Sequence, residues 1–265
     1  MRRVERHVSP TGIPPLFAAA SFLPVGLASR RCALSILGAG SAFLALVLAS
    51  LSAPPTAASQ LIQLVSVRKY YTLFLASTDQ SGRKEPRLRE IFVTRFRNFG
   101  PSFVNGFYHD ELPQQPYLEY RDSIDGRPVP VQKFGNRYWD FLQFPAGREI
   151  EVRTDALQRV LPRDPAQKID FFEDWIEWAN WRPPIDDYWI VVDLGKMYTA
   201  FRQTPAFGMG GDPPPTFREF LQNQVLRVLP AGYRVEGSTV WWHFRQIYAP
   251  EGYTTLHVEW KAWYR

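Results

Sequence analysis

Residues 188–194 read YWIVVDL, a short apolar run that lies between Asp187 and Gly195. Its length, its β-branched residues and its flanking turn formers are typical of a strand that is buried on both faces. We therefore expect a central strand here, with other elements packed around it.

Helices are predicted on both sides of this strand. Residues 169–181 repeat large aromatic residues at helical spacing and stop at Pro183-Pro184, which cannot continue a helix. Downstream, Thr216-Phe-Arg-Glu219 is a capping-box sequence that predicts a helix to about residue 229. A third, short helix is predicted from Thr154 or Asp155 to just before Pro162.

The other periodic segments predict strands. Asp125-Gly126 favours a tight turn between two of them. The strand segments are residues 91–99, 117–120, 129–131, 138–144, 149–153, 238–248 and 253–264. Strands and helices alternate without βαβ spacing, so we expect an α+β fold with a mainly antiparallel sheet and helices on one face.

The last two strands are predicted to form a hairpin, and this hairpin carries a candidate metal site. Facing their apolar sets together pairs even-numbered residues with even ones, which places His243 opposite His257, near Glu259. Two imidazoles and a carboxylate are ligands that Zn²⁺ accepts. The alternative is that both histidines lie solvated on an exposed sheet face.

An acidic stripe on the predicted helix 169–181 is a candidate site for a basic partner. Its members recur at helical spacing, and the alternative is a solvated helix face whose acids favour the helix N-terminus. The stripe consists of Asp170, Glu173, Asp174 and Glu177.

Composition excludes several classes of function. Five of the 31 basic residues and one of the 26 acidic residues lie in residues 1–58, so the rest of the chain is nearly neutral and is not expected to bind nucleic acid. The single cysteine, Cys32, precedes the domain, which excludes a thiolate nucleophile or a disulfide scaffold there. We find no nucleophile, metalloprotease or nucleotide-binding motif, so no catalytic residue and no cofactor are predicted.

The N-terminal 59 residues have the features of a targeting leader. No charged residue occurs between Arg31 and Arg68, and residues 33–52 are twenty apolar or small residues, enough for a helix of about 30 Å that spans a bilayer. Small residues such as Ala57 and Ser59 follow, as a signal peptidase requires. We expect a leader at 1–59, a linker or membrane-proximal segment at 60–90, and one α+β domain at 91–265.

The residues around the arginine pair carry a resemblance. Ser29-Arg30-Arg31-Cys32-Ala33-Leu34 resembles the twin-arginine export signal Ser-Arg-Arg-x-Phe-Leu-Lys, with Ala33 in place of Phe and Ser35 in place of Lys. The acid-poor residues 1–28 resemble a chloroplast transit peptide placed before a thylakoid transfer signal. The resemblance implies delivery to the thylakoid lumen, with Arg30, Arg31 and Leu34 as targeting residues.

These features predict a non-catalytic auxiliary or assembly protein of a membrane complex, such as a photosynthetic one, that acts on the lumenal side. The first alternative is a single-pass subunit that residues 33–52 anchor, on the extracytoplasmic face of a bacterial or mitochondrial inner membrane. The second is a small ligand- or metal-binding protein, or an enzyme, whose site the sequence does not reveal. The many Trp and Tyr residues suit either a core or a binding surface.

Overall fold

The longest alternating stretches of the chain form two neighbouring strands, β1 (Ile62–Ser77) and β2 (Lys84–Asn98). The computed structural model describes residues 61–78, 83–161, 166–176, 185–204, 215–247 and 255–264. Within these ranges the helices are α1 (Gly195–Arg202) and α2 (Phe217–Asn223). The remaining strands are β3 (Phe103–Asp110), β4 (Tyr117–Ile124), β5 (Arg127–Val129), β6 (Gln132–Phe134), β7 (Arg137–Phe144), β8 (Glu149–Arg159), β9 (Ile169–Trp175), β10 (Ile185–Asp193), β11 (Val225–Leu229), β12 (Arg234–Glu236), β13 (Thr239–Ile247) and β14 (Thr255–Lys261).

Eight of these strands form a main sheet in the order β12-β13-β10-β1-β2-β8-β4-β5. Two three-stranded sheets accompany it: the β9 sheet, in the order β11-β14-β9, and the β7 sheet, in the order β3-β7-β6. Among the strand pairs of the described residues, only β1 and β10 run parallel. The predicted α+β class with a mainly antiparallel sheet is therefore confirmed at this level, with far more strand than helix.

The core lies between the main sheet and the two small sheets. Alternate side chains of β1 are buried, as the two-residue period of a strand requires. Tyr71 on this face packs against Phe172 of the β9 sheet, with ring centroids 5.4 Å apart. Phe96 of β2 packs against Phe107 and Phe144 of the β7 sheet, each at 5.6 Å. Each such large side chain contributes about 1.5–3 kcal/mol when it is fully buried.

Several predicted elements are confirmed. Of the predicted strand 188–194, residues 188–193 lie in β10, between β1 and β13 in the interior of the main sheet. The strands predicted at 138–144 and 149–153 lie within β7 and β8, and the one predicted at 91–99 lies in β2 up to Asn98. Asp125 and Gly126 both have positive φ, 48° and 77°, at the turn that joins β4 to β5. Two consecutive positive φ angles are what the type I′ turn of a two-residue hairpin requires.

The predicted linker at 60–90 is wrong for its described residues. β1 occupies residues 62–77, the first half of β2 occupies residues 84–90, and both strands lie in the middle of the main sheet. Most charged residues of 83–90 alternate with buried ones, such as Pro86 and Leu88, so they form the solvent side of a strand, whereas Glu90 is buried. Charge density alone did not distinguish a loop from such a strand.

The predicted helix at 169–181 is also wrong. Residues 169–175 form β9, which pairs antiparallel with β14 over seven residue pairs. Ile, Phe and Trp have high strand propensity, and the cross-strand contacts of Phe172 and its neighbours with β14 outweigh the helical spacing of the aromatic residues. Residues 177–181 lie outside the described residues.

Two further helix predictions need correction. The capping box at Thr216 and Glu219 is present, but α2 ends at Asn223 and residues 225–229 form β11. Residues 154–159 continue strand β8 instead of beginning a helix. In both places the helix signal was local, whereas pairing with a distant strand decided the conformation.

The predicted C-terminal hairpin is wrong as well. β13 pairs with β10 and β12 in the main sheet, whereas β14 pairs with β11 and β9 in another sheet. An alternating pattern specifies which residues face the core but leaves the partner strand open.

Candidate functional site

The targeting residues Arg30, Arg31, Leu34, Ala57 and Ser59 lie outside the described residues. The same holds for the apolar segment 33–52. Neither of the two helices in the described part of the chain has the length and apolar character needed to cross a bilayer. The leader therefore stays a prediction.

The acidic residues of 169–177 do not form one exposed stripe. Asp170 is fully buried and accepts a hydrogen bond from the hydroxyl of Tyr264. Asp174 accepts hydrogen bonds from Lys69 and Tyr71 in the interior. Glu173 faces away from both, and Glu177 lies outside the described residues. Because β9 is a strand, neighbouring acids point to opposite faces, which is why the helical stripe is absent.

The structure separates the two histidines of the predicted metal set. His243 lies on β13, with Nε2 2.7 Å from Asp187 Oδ1 and its ring stacked on Trp189 at 3.9 Å. His257 lies on β14 in the other sheet. The predicted pairing of the two imidazoles depended on the incorrect hairpin.

His257 and Glu259 do lie together. Glu173 Oε1 is 2.8 Å from His257 Nδ1, and Glu259 Oε2 is 3.2 Å from its Nε2. The imidazole is stacked on Phe171 and only 6% exposed. Within the described ranges, no cluster of three or more His, Cys, Asp or Glu side chains has the arrangement of a metal site. His257, Glu173 and Glu259 therefore form a buried histidine held between two carboxylates.

An ion pair between a buried lysine and a half-buried aspartate joins the main sheet to the β9 sheet. The ammonium of Lys69, 2% exposed, donates to Asp174 Oδ2 at 2.6 Å and to the carbonyl oxygen of Trp175 at 2.8 Å. Burial raises the pKa of Tyr71 well above its ordinary value, and the charges of Asp174 and Glu90 add to the rise. Tyr71 therefore stays a neutral phenol that donates a hydrogen bond to Asp174 across the physiological pH range.

An amide chain extends this interior network. Gln158 Nε2 donates to Glu90 Oε2 at 2.8 Å, and Gln115 Nε2 donates to Gln158 Oε1 at 2.9 Å. Gln115 Oε1 in turn accepts from the backbone N–H of Glu173. The network thus satisfies buried polar groups from both sheets, which is the condition for burying them without a large cost.

A second buried cluster joins the main sheet to the β7 sheet. Asp122 of β4 and Asp140 of β7 are each 4% exposed, and Thr154 Oγ1 donates to Asp122 Oδ1 at 2.5 Å. Burial, the adjacent charge of Asp122 and a hydrogen bond with Asp122 together raise the pKa of Asp140 to about 8. Burial likewise raises the pKa of Tyr120 beside them. The two carboxyls share a proton because two like charges in contact cannot both ionise at low cost.

Their burial decides what this pair can do. A pair of carboxyls with split pKa values is also the pattern of an acid–base dyad. At 4% exposure neither carboxyl reaches a substrate in solution. The pair therefore acts as a link between the two sheets.

The outer face of the β7 sheet carries an exposed aromatic surface. Asn105, Asp140 and Leu142 point inward and are buried, so the alternate residues of β3 and β7 point to solvent. Val104, Phe134 and Phe141 are 55%, 61% and 57% exposed. We call this surface the aromatic face; it consists of Val104, Tyr108, Phe134, Trp139 and Phe141.

Neighbouring contacts order the aromatic face. The rings of Tyr108 and Trp139 lie 4.8 Å apart, and the Arg137 guanidinium lies 4.7 Å from the centroid of Tyr108. Gly106 is opposite Phe141, and a Cβ there would lie 3.3 Å from the Phe141 ring. Glycine at this position therefore leaves the Phe141 ring room beside the strand.

Sequence reasoning missed both the carboxyl pair and the aromatic face. A signal for the face was present: residues 138–144 are apolar at both odd and even positions, which is unusual for a strand with one solvent side. The pairing of Asp122 with Asp140 had no local signal, because it depends on how two sheets meet.

Comparisons with known proteins assign no family. No protein-family model matches the sequence, and no curated protein matches it significantly. A putative nutrient binding protein from Legionella pneumophila aligns with a TM-score of 0.48 at 10% identity, over 75% of this chain and 67% of that one. An M1 zinc metallopeptidase from Deinococcus radiodurans aligns with a TM-score of 0.35 at 9% identity, over 74% and 42%. Yeast LTA4 hydrolase aligns with a TM-score of 0.36 at 9% identity, over 78% and 31%.

The chain thus spans less than half the length of the two hydrolases. At these TM-scores the similarity carries no activity, substrate or partner to this chain.

Proposed function

We propose that this protein is a non-catalytic auxiliary or assembly protein that binds a membrane-protein complex through the aromatic face. The main support for this proposal is that Phe134, Phe141 and Val104 are exposed on one side of the β7 sheet. Contiguous apolar surface of this kind on a soluble domain is typical of a protein-binding site.

The composition and surroundings of the face support this role. Trp, Tyr and Arg dominate the binding energy of protein interfaces, and Trp139, Tyr108 and Arg137 lie together here. An ion pair borders the face, between Arg137 and Asp110 at 2.8 Å. An apolar centre with a charged rim is the usual anatomy of a protein interface.

Paired surface variants test this proposal. In Phe134→Ser/Phe141→Ser, we expect co-migration of the chain with its native membrane complex to fall by at least about tenfold, because hot-spot aromatic side chains are removed. The thermal midpoint should not change, since both side chains are exposed. Native electrophoresis of solubilised membranes, followed by immunodetection, measures the bound fraction.

Leu226→Ser/Val235→Ser is the matched control, with two apolar side chains that are 44% and 48% exposed on other sheets. It should co-migrate like the unaltered chain. Equal loss in both double variants, or a chain found only in the free soluble fraction, would contradict the proposal.

We propose that the leader carries residues 60–265 across the membrane, in the lumen of thylakoids if the export-signal resemblance holds. The apolar helix at 33–52 would be removed in this case. The alternative is that it stays as the anchor of a single-pass subunit on the extracytoplasmic face. Sequencing the mature N-terminus distinguishes the two: a start near Ser59 or Gln60 indicates cleavage, and an intact leader indicates an anchor. A C-terminal tag on the ribosome side would contradict both.

A further inference from the structure

A cleft of about 740 Å³ opens beside α1, well within the size range of small-ligand sites. The end of β1 and the start of β2 form one wall, α1 forms another, and the C-terminal residues Trp263 and Tyr264 form a third. None of the predicted site residues lies in it, and neither does any residue of the aromatic face.

The charged side chains that line the cleft in the described part of the chain are both positive. Lys84 and Lys196 both line it, and none of the described lining residues is an Asp or Glu. Lys84 Nζ lies 3.3 Å from the hydroxyl of Ser77, and Lys196 Nζ lies 5.2 Å from the centroid of Phe74. Neither ammonium forms an ion pair with a carboxylate in the described part of the chain. Two unneutralised ammonium groups on one cleft attract an anion.

The third wall supplies a fixed aromatic surface. The Trp263 ring is packed edge-on against Phe201 at 5.1 Å and Phe220 at 5.7 Å. The hydroxyl of Tyr264 donates to the buried Asp170 and accepts from Trp260 Nε1. These contacts hold the wall in place before a ligand arrives, which lowers the entropic cost of binding. Thr199 of α1 and Gln203, which follows the last residue of α1, add polar groups that can donate to a ligand oxygen.

We propose that this cleft binds a small organic anion, with its apolar body against Trp263 and its carboxylate or phosphate group between Lys84 and Lys196. Apolar walls with a few convergent polar groups are the ordinary form of a small-molecule site. Charged hydrogen bonds to the two ammonium groups supply the preference for an anion. The inference is independent of the aromatic face, so either can fail without the other.

Titration calorimetry on the full 265-residue chain tests this proposal. Phenyl phosphate and phenylacetate are the two anionic probes, and benzylamine is the cation of similar size. We expect saturable binding of at least one anion, and at least about tenfold weaker binding of benzylamine, because the charge of the cleft discriminates between them. The anion that binds more tightly shows whether the cleft prefers a phosphate or a carboxylate group.

Two sets of variants place the binding in the cleft. Lys84→Gln/Lys196→Gln should weaken the binding of the anion by at least about tenfold, since two charged contacts are lost. Gln203→Glu, which adds a negative charge to the wall without touching the core, should also weaken it. Lys261→Gln, an exposed lysine of β14, is the matched control and should bind like the unaltered chain.

The proposal is overturned by any of three results. One is no saturable binding of either anion up to about 10 mM, a weak limit for a specific site. Another is equal binding of benzylamine and the anions. The third is unchanged anion affinity in both Lys84→Gln/Lys196→Gln and Gln203→Glu.

Discussion

Asp122 and Asp140 place two buried acids where the main sheet meets the β7 sheet, and their proton makes stability depend on pH. Burial and the neighbouring Asp122 raise the pKa of Asp140 from 3.8 to about 8. Between these two values the folded chain holds a proton that the unfolded chain releases. The stabilisation is complete below about pH 4 and is lost as the pH rises to about 8.

We expect Asp140→Asn to flatten this dependence. The amide can still donate a hydrogen bond to Asp122 but does not titrate. The free energy of unfolding of the unaltered chain should therefore fall, relative to that of the variant, as the pH rises from about 5 to about 8. Urea unfolding at several pH values measures the difference.

Asp110→Asn is the control for this comparison. Asp110 lies on the same small sheet, but it is exposed and paired with Arg137. The free energy of unfolding of this variant should depend on pH with the same slope as that of the unaltered chain. If Asp140→Asn kept it too, the assignment of the slope to the buried pair would be wrong.

At the scale of elements, α2 shows how a local signal and a distant partner divide one segment. Thr216 Oγ1 accepts from the Glu219 backbone N–H at 3.3 Å, and Glu219 Oε2 accepts from the Thr216 backbone N–H at 2.6 Å. This reciprocal cap is encoded within four residues, and the start of the helix was predicted correctly. Its end at Asn223 was not, because the next residues pair with β14.

We expect Thr216→Ala to lower the free energy of unfolding by about 1 kcal/mol, the usual effect of losing an N-cap. The hydrogen bonds from the Thr216 backbone and hydroxyl lower the pKa of Glu219. The stabilising effect of its carboxylate is therefore lost as the pH falls through that lowered pKa. Thermal or urea unfolding at neutral pH measures the difference.

Thr199→Ala in α1 is the matched control, since Thr199 is exposed within a helix and makes no cap. Its stability should stay within about 0.5 kcal/mol of the unaltered chain. An equal loss in both variants would show that the cap is not the cause.

At the scale of the whole molecule, β1 and β2 connect the two halves of the main sheet. β1 pairs with β10 on one side and β2 on the other, and β2 pairs with β8. β1 also carries Lys69 and Tyr71, which bind Asp174 of the β9 sheet. Removing these strands would separate the halves and expose the core face of each.

A chain that begins at residue 91 should therefore fail to fold, whereas one that begins at residue 61 should unfold cooperatively. The first lacks all of β1 and the start of β2, and it leaves buried residues of β8 and β10 without partners. Near-ultraviolet circular dichroism during heating distinguishes the two. Cooperative unfolding of the shorter chain would restore the boundary at residue 91 that its charge pattern suggested.

What the sequence by itself determined is local. Alternation identified β2, β7 and β8, a continuous apolar run identified β10, a two-residue pattern identified the turn at Asp125-Gly126, and a four-residue pattern identified the start of α2. Each of these features depends on side chains that are only a few residues apart, where the spacing along the chain dictates the geometry.

The tertiary structure alone decided which elements meet. The aromatic residues of 169–175 suited a helix or a strand, and pairing with β14 selected the strand. The same pairing placed His257 away from His243 and brought Asp174 against the buried Lys69. Contacts between distant segments leave no regular residue spacing in the sequence. The energy that selects them comes from surfaces that exist only after both segments have folded.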